Sequence, residues 1–311
     1  MRHRSLLQRL TPLRRLALLA SLVLLHVGGA AGADSRPLLW RVDGPQPAYL
    51  FGTIHSAHPD LNHLPDAVEN ALTQADRFYA ELALDGATQA RIQTLFSQPA
   101  GQRLSDQLTA AQRARIEGVL RGIQPGLSLA AFDSLQLWAF TLTLGVLEDQ
   151  LSYPGAAMMD RRLYLSAERQ GKPRGGLETP EEQAGVFSRL DRAEQHALLD
   201  ATLSYLERAQ AEGHATQAEG YRIYREGDPN QFLNLFSDQL DVPLLLQLKL
   251  QRLLLTERNE RMAKRIAGLL DTHPRERLFF AIGAAHFADT GGIPARLREM
   301  GYRVRRVGSA E

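Results

Sequence analysis

Cysteine is absent from all 311 residues. That excludes a disulfide framework, a thiolate-bound zinc, an iron–sulfur cluster, a cysteine nucleophile and a lipid anchor on an N-terminal cysteine. Net charge is nearly absent too: 36 Lys and Arg stand against 35 Asp and Glu, and such a balance gives no reason to expect nucleic acid. No H-E-x-x-H, G-x-S-x-G, P-loop or G-x-G-x-x-G string occurs, which argues against zincin proteases, serine hydrolases, NTPases and dinucleotide enzymes. No repeat is sustained. What remains is a globular chain, 44% hydrophobic and long enough for a substantial core.

The charge that is present is unevenly placed. Residues 1–33 hold Arg2, Arg4, Arg9, Arg14 and Arg15 and no acid. Leu16–Val27 follows, apolar apart from Ser21 and His26, and small residues then end in Ala31-Gly32-Ala33. A basic head, a short apolar stretch and an A-x-A site are the three parts of a secretory signal peptide. The apolar stretch falls short of the roughly 20 residues that span a bilayer. Cleavage is expected near Ala33, delivering a periplasmic or secreted chain without a membrane span. Five of the 36 bases lie in the leader, which leaves 31 against 35 acids in a mildly acidic mature protein.

Patterning beyond the leader predicts an α/β fold. Leu38–Val42 and Ala48–Phe51 read as strands joined by an Asp43-Gly44-Pro45 turn. A helix is expected from Pro65 to Ala75 and a strand from Arg77 to Leu84. The middle reads as helical: from a Ser105-Asp106 cap to Leu120, over Leu127–Leu147 as a buried core helix, and at 158–170, 181–212, 215–226, 229–240 and 242–270. Pro173–Glu178 supplies one short strand. Arg277–Ile282, a helix at 293–300 and an edge strand at 302–307 close the chain. The expected layout is one domain over 34–311. A β/α half (34–85) and a second (271–311) share a central mixed sheet, with a helical insertion (86–270) between them.

The informative feature is a duplicated string. Gly52-Thr53-Ile54-His55 and Gly283-Ala284-Ala285-His286 each follow an apolar strand. Ligands of α/β sheets sit outside the carboxyl ends of the strands. A glycine there lets the chain turn sharply, so a histidine three residues on can reach over the rim. Side by side, two such strands bring two imidazoles together. Glu81, in the otherwise apolar third strand, adds a carboxylate that is expensive without a partner. Two imidazoles and a carboxylate suit a divalent transition metal with open positions, and such an ion favours hydrolysis. His58 and His63 read as solvated loop residues, while His196, His214 and His273 have no partner pattern. Asp160 reads as a helix cap.

The strings Phe51-Gly52-Thr53-Ile54-His55, Gly176-Leu177-Glu178-Thr179 with Glu182-Gln183, Glu257-Arg258-Asn259 and Gly283-Ala284-Ala285-His286 occur in this order. Together they resemble the TraB/GumN family, which includes the Tiki metalloproteases and is related to erythromycin esterase-like and ChaN-like proteins. The resemblance covers nearly the whole mature chain. It implies an EreA/ChaN-like α/β fold and a metal-dependent hydrolase of peptides or proteins, with a divalent ion (Mn, Co or Zn) on His55, Glu81 and His286. It also brings Glu178, Arg258 and Asn259 into the site. Glu81 or Glu178 would be the general base, Arg258 would support an oxyanion, and Asn259 would complete the metal shell or orient water. ChaN-like relatives bind haem, so a non-catalytic haem-, metal- or partner-binding protein is the alternative expectation. A third reading makes the paired strings structural turns.

Overall fold

The Asp43-Gly44-Pro45 turn folds two short apolar segments together, giving β1 (Leu39–Val42) antiparallel to β2 (Ala48–Thr53), with Leu39 opposite Phe51. The computed structural model describes residues 37–239 and 241–308, with backbone alone at 236–239. The expected leader and its cleavage site lie outside these residues. After the hairpin, α1 (Asp66–Gln74) starts behind Pro65 and buries Val68, Ala71 and Leu72. Next, β3 (Arg77–Ala80) stops four residues short of the expected end. Glu81 therefore stands just past a strand end and not inside a strand.

Local chemistry also redraws the helical region, which runs α2 (Gly86–Phe96), α3 (Ala110–Ile123), α4 (Leu137–Ser152) and α5 (Met159–Arg169). Ser105-Asp106 does not cap α3. Thr109 does, in a reciprocal box with Gln112. The apolar run from Leu127 is not one helix, because Asp133 turns back to accept the Ser105 N–H at 2.9 Å and α4 begins only at Leu137. Beyond β4 (Arg174–Gly176), the predicted helix at 181–212 divides into α6 (Pro180–Ser188) and α7 (Arg192–Glu212), since Asp191 caps a new start with Glu194. Then come α8 (Ala218–Glu226), α9 (Asn230–Gln239) and α10 (Leu244–Gln251). A π-helical turn at Arg252–Thr256 joins α10 to α11 (Glu257–Thr272). The chain closes with β5 (Leu278–Gly283), α12 (Ile293–Glu299) and β6 (Val304–Arg306).

The six strands form one mixed sheet in the order β4-β3-β5-β2-β1-β6, parallel from β4 to β2 and antiparallel at β1 and β6. β5 is central and buried on both faces, which its unbroken apolar run Leu-Phe-Phe-Ala-Ile already dictates. Its residues alternate between two cores. Phe280 and Ile282 meet Met262 and Ile266 of α11 and Leu297 of α12. Phe279 and Ala281 meet Val68 and Leu72 of α1 and Leu163 of α5. Burying each phenylalanine contributes about 1.5–3 kcal/mol. A third core joins α3, α4 and α7 through Ile116, Phe140 and Leu203. Among the described residues no helix is long and apolar enough to cross a membrane.

Topology then selects the functional edge. β5 is inserted between β2 and β3, so the parallel strands β2, β5 and β3 end side by side at one rim. Connections leave that rim toward opposite faces, the arrangement that opens a ligand crevice in α/β sheets.

Candidate active site

Register brings the duplicated strings together. Thr53 pairs with Gly283 across β2 and β5, and Ala80 pairs with Ala281 across β3 and β5. His55, Glu81 and His286 thus emerge from adjacent strand ends, and with Arg258 they line one cavity of about 370 Å³. Val146, Phe232, Leu254 and Leu255 form its apolar wall.

The two glycines serve close approach, not sharp turning. Neither adopts positive φ. A Cβ on Gly52 would lie 2.9 Å from Leu38 Cβ and 3.4 Å from Ala284 Cα. One on Gly283 would lie 3.0 Å from Glu81 Oε1 and 3.7 Å from His286 Cδ2, filling the space over which these side chains face each other.

His286 is held tightly. Its Nδ1 lies 2.5 Å from Asn259 Oδ1, and Asn259 Nδ2 donates to Gly291 O at 2.9 Å. The second bond fixes the amide, so Oδ1 accepts from His286 Nδ1–H and the lone pair sits on Nε2. That nitrogen points at Glu81 Oε1, 3.8 Å away. Burial, reinforced by the Arg258 charge, pushes the imidazole down to about 4, so it is neutral at physiological pH.

Glu81 is saturated. Oε1 accepts from Gly283 N–H at 2.7 Å, and Oε2 from Arg258 Nη2 at 2.5 Å and Gln183 Nε2 at 3.1 Å. Burial opposes its ionisation, but Arg258, the two histidines and the Gly283 N–H outweigh it and hold the carboxyl well below the usual range. Glu178 is carried alongside by the parallel strands: its N–H donates to Glu81 O at 2.7 Å. Its side chain has no solvent exposure and bonds Arg258 at 2.6 Å, Arg261 at 2.7 Å and Gln183 at 3.2 Å. Arg258 thus links two carboxylates, and their pull raises its pKa against burial. Both Arg258 and Asn259 start the turn of α11 that follows the π-helical segment, a break that recurs at functional sites.

His55 is placed differently. Its side chain is 59% exposed, and Nδ1 lies 3.4 Å from Asp160 Oδ2. Asp160 pushes the imidazole up to about 9. The loop that carries it is pinned: buried Asp149 of α4 accepts from Ser56 Oγ at 2.9 Å and Ala57 N at 3.0 Å, while Met159 N–H at the head of α5 donates to Ser56 O at 3.1 Å. Asp160 corrects the cap assignment, because Met158 occupies the cap of α5 and makes no side-chain bond there. The carboxylate instead faces His55, with Oδ1 buried and unpartnered. No local pattern marks this residue, since its partner lies far earlier in the chain. His58 is not a free loop residue either: it caps the turn Pro59–Asn62 and stacks on Tyr221 at 4.2 Å between ring centroids.

The donor chemistry suits a divalent ion: an ionised carboxylate, a neutral imidazole with its lone pair aimed into the cavity, and a glycine whose missing Cβ keeps the space between them. The three expected ligands do not form a finished coordination sphere. Among the described residues no three His, Asp or Glu are gathered closely enough to hold an ion. Glu81 and His286 face each other, and His55 is turned to Asp160.

Comparison with known proteins places the chain among named relatives. Residues 38–306 match the family model described as the TraB/PrgY/gumN family. The chain is similar to Metalloprotease TIKI1 of Danio rerio, 27% identical over 314 residues, covering 88% of this chain and 63% of the relative. Metalloprotease TIKI2 of the same animal is 28% identical over 315 residues, covering 87% and 61%. The Metalloprotease TIKI homolog of Amphimedon queenslandica is 28% identical over 351 residues, covering 95% and 68%. The chain therefore spans about three fifths to two thirds of the length of these relatives.

Proposed function

This chain belongs to the TraB/PrgY/gumN family, and we propose that it is an exported metal-dependent hydrolase of peptides or proteins on an EreA/ChaN-like fold. The reading makes residues 34–311 one domain, released by cleavage of the leader near Ala33. His55, Glu81 and His286 would hold one divalent ion, Mn, Co or Zn. The observation that carries the reading is the Asn259 lock, which leaves His286 Nε2 as a lone pair facing ionised Glu81 inside a cavity that His55 also lines. The Tiki relatives, named as metalloproteases, support the same chemistry.

When bound, the ion would polarise the scissile carbonyl and acidify a water molecule. The remaining roles follow from what each side chain touches. Of the two carboxylates considered as base, Glu81 lines the cavity, whereas Glu178 has no exposed side-chain surface and is committed to two arginines. Glu178 then acts as the counter-ion that fixes Arg258. Arg258 in turn keeps Glu81 ionised and aimed, since its guanidinium is engaged by both carboxylates. Asn259 orients His286 and is not itself a ligand, because both ends of its amide are used. Asp160 faces His55 Nδ1, so the ion would be held by the opposite ring nitrogen after that nitrogen gives up its proton.

Elemental analysis of the purified protein, followed by peptide-library digestion with and without chelator, tests this. One ion per chain and chelator-sensitive cleavage are expected, both lost in His286→Ala and in His55→Ala. Metal bound equally well by both variants refutes the ligand set. Stoichiometric metal without cleavage of any peptide leaves a binding protein in place of a hydrolase.

A further inference from the structure

A second cavity, about 410 Å³, adjoins the first between α4, α7, α8 and α10. Val146, Gln217, Gly220, Leu235 and Leu254 line both. Unlike its neighbour, it has no charged side chain in its wall among the described residues. Most of its polar groups already have partners. Thr141 Oγ1 donates to Leu137 O and Thr202 Oγ1 to Leu198 O, each at 2.9 Å, and Gln217 Nε2 donates to Gly145 O at 2.9 Å. These hydroxyls are spent on their own helices, and Tyr205 OH donates to Thr216 O at 2.6 Å, while Thr216 Oγ1 is buried without a hydrogen-bond partner; beside Leu142, Phe187 and Leu250 the wall is mainly apolar.

Gly145 makes this space look maintained. It sits in the interior of α4, where glycine weakens a helix, and a Cβ built on it would meet nothing within 4 Å. Gly220 of α8 faces the same space, and a Cβ there would make only ordinary contacts, 3.7 Å from Gln217 Oε1 and 3.8 Å from Leu235 Cδ2. Packing therefore requires glycine at neither position. Larger residues would stabilise both helices and fill the void, and an unfilled apolar void is destabilising. The volume falls within the range of ligand pockets, and the shared wall sets the void directly beside the candidate active site.

We infer that this void is the specificity pocket of the site, taking a large apolar side chain of the substrate peptide beside the bond cleaved. The inference rests on the peptidase reading above. The charged rim would hold the peptide bond while Gly145 and Gly220 leave room for a leucine-, methionine- or phenylalanine-sized side chain.

The test separates the two claims. Capped peptides differing only at one position, Ala, Val, Leu or Phe, are titrated calorimetrically against the full chain in chelator, with integrity checked by mass spectrometry. Affinity is expected to rise at least tenfold from Ala to Leu or Phe. Gly145→Leu and Thr202→Phe, filling the void from opposite walls, should each flatten the series, while Gly145→Ala keeps it; thermal melts verify that each variant is folded. A flat series in the parent, or a series surviving in both folded filled variants, overturns the pocket. A size-dependent series with no peptide cleaved under Mn²⁺, Co²⁺ or Zn²⁺ sinks the peptidase reading and keeps the pocket. Cleavage without size preference does the reverse.

Discussion

The ends of β2 and β5 carry the same G-x-x-H string on neighbouring parallel strands, yet their histidines live in opposite conditions. After β5 the chain tightens into a 3₁₀ turn, Ala284–Phe287, whose Phe287 stacks on Trp40 at 4.6 Å and whose His286 is only 4% exposed under Asn259. After β2 it runs outward through a loop anchored to Asp149, and His55 is 59% exposed beside Asp160. One arm of the rim is rigid and neutral; the other is open and charged. A motif fixes where a side chain emerges, and its neighbours decide its state.

The sharpest way to break this asymmetry is to remove each arm's partner. Asn259→Leu should weaken metal affinity by about 10–100-fold, the usual effect of losing a residue that orients a ligand. Asp160→Asn, which retains an acceptor for His55, should cost clearly less. Calorimetric titration of Mn²⁺, Co²⁺ and Zn²⁺ into both variants checks the ranking. Equal losses would mean that His286 is no more fixed than His55.

A milder test uses the two glycines. Gly52→Ala drives a methyl against the Cβ of buried Leu38 at 2.9 Å, with Ala284 Cα at 3.4 Å, and should destabilise by about 1–3 kcal/mol in urea unfolding. Gly283→Ala meets a carboxylate oxygen, Glu81 Oε1, at 3.0 Å. That oxygen can shift a few tenths of an ångström, so the loss should fall below about 1 kcal/mol, while metal affinity drops because Glu81 is re-aimed. If Gly283→Ala proves the more destabilising, the β5 end is built for stability and not for the site.

Much of this was legible in the residues. Periodicity and turn chemistry suffice for the hairpin and for β5, because each depends on neighbours in sequence, whereas the pairing of β2 with β5 joins segments more than 200 residues apart and is expected from the sequence only as a condition. Helix breaks were missed where a single side chain decides them, as Asp133 and Asp191 do by capturing an N–H. Strings or burial cost mark Glu81, His55 and His286, and the fold brings all three to one cavity. Asp160 was misread, since the residue it serves arrives only through the fold, and the saturation of Arg258 by Glu81 and Glu178 depends on strand register that no local pattern encodes.

The smallest expected effect is also the most direct reading of the comparison. In metal-free protein the two imidazoles should titrate far apart, His55 near 9 and His286 near 4, visible as separate ring-proton resonances in NMR. The signs oppose each other. His55, raised by Asp160, contributes stability below the ordinary histidine value near 6.5 and loses it as pH rises through about 9. His286, lowered by burial and Arg258, contributes a loss that grows as pH falls from about 6.5 toward 4, because the unfolded chain takes up the proton first. The His55 contribution is small, since the ring is mostly exposed and its ion pair is screened. Asp160→Asn should return His55 toward its ordinary value and leave His286 where it is. If His286 moves with it, the two arms are coupled through Glu81, which faces His286 and feels the charge of both, and the rim titrates as one unit.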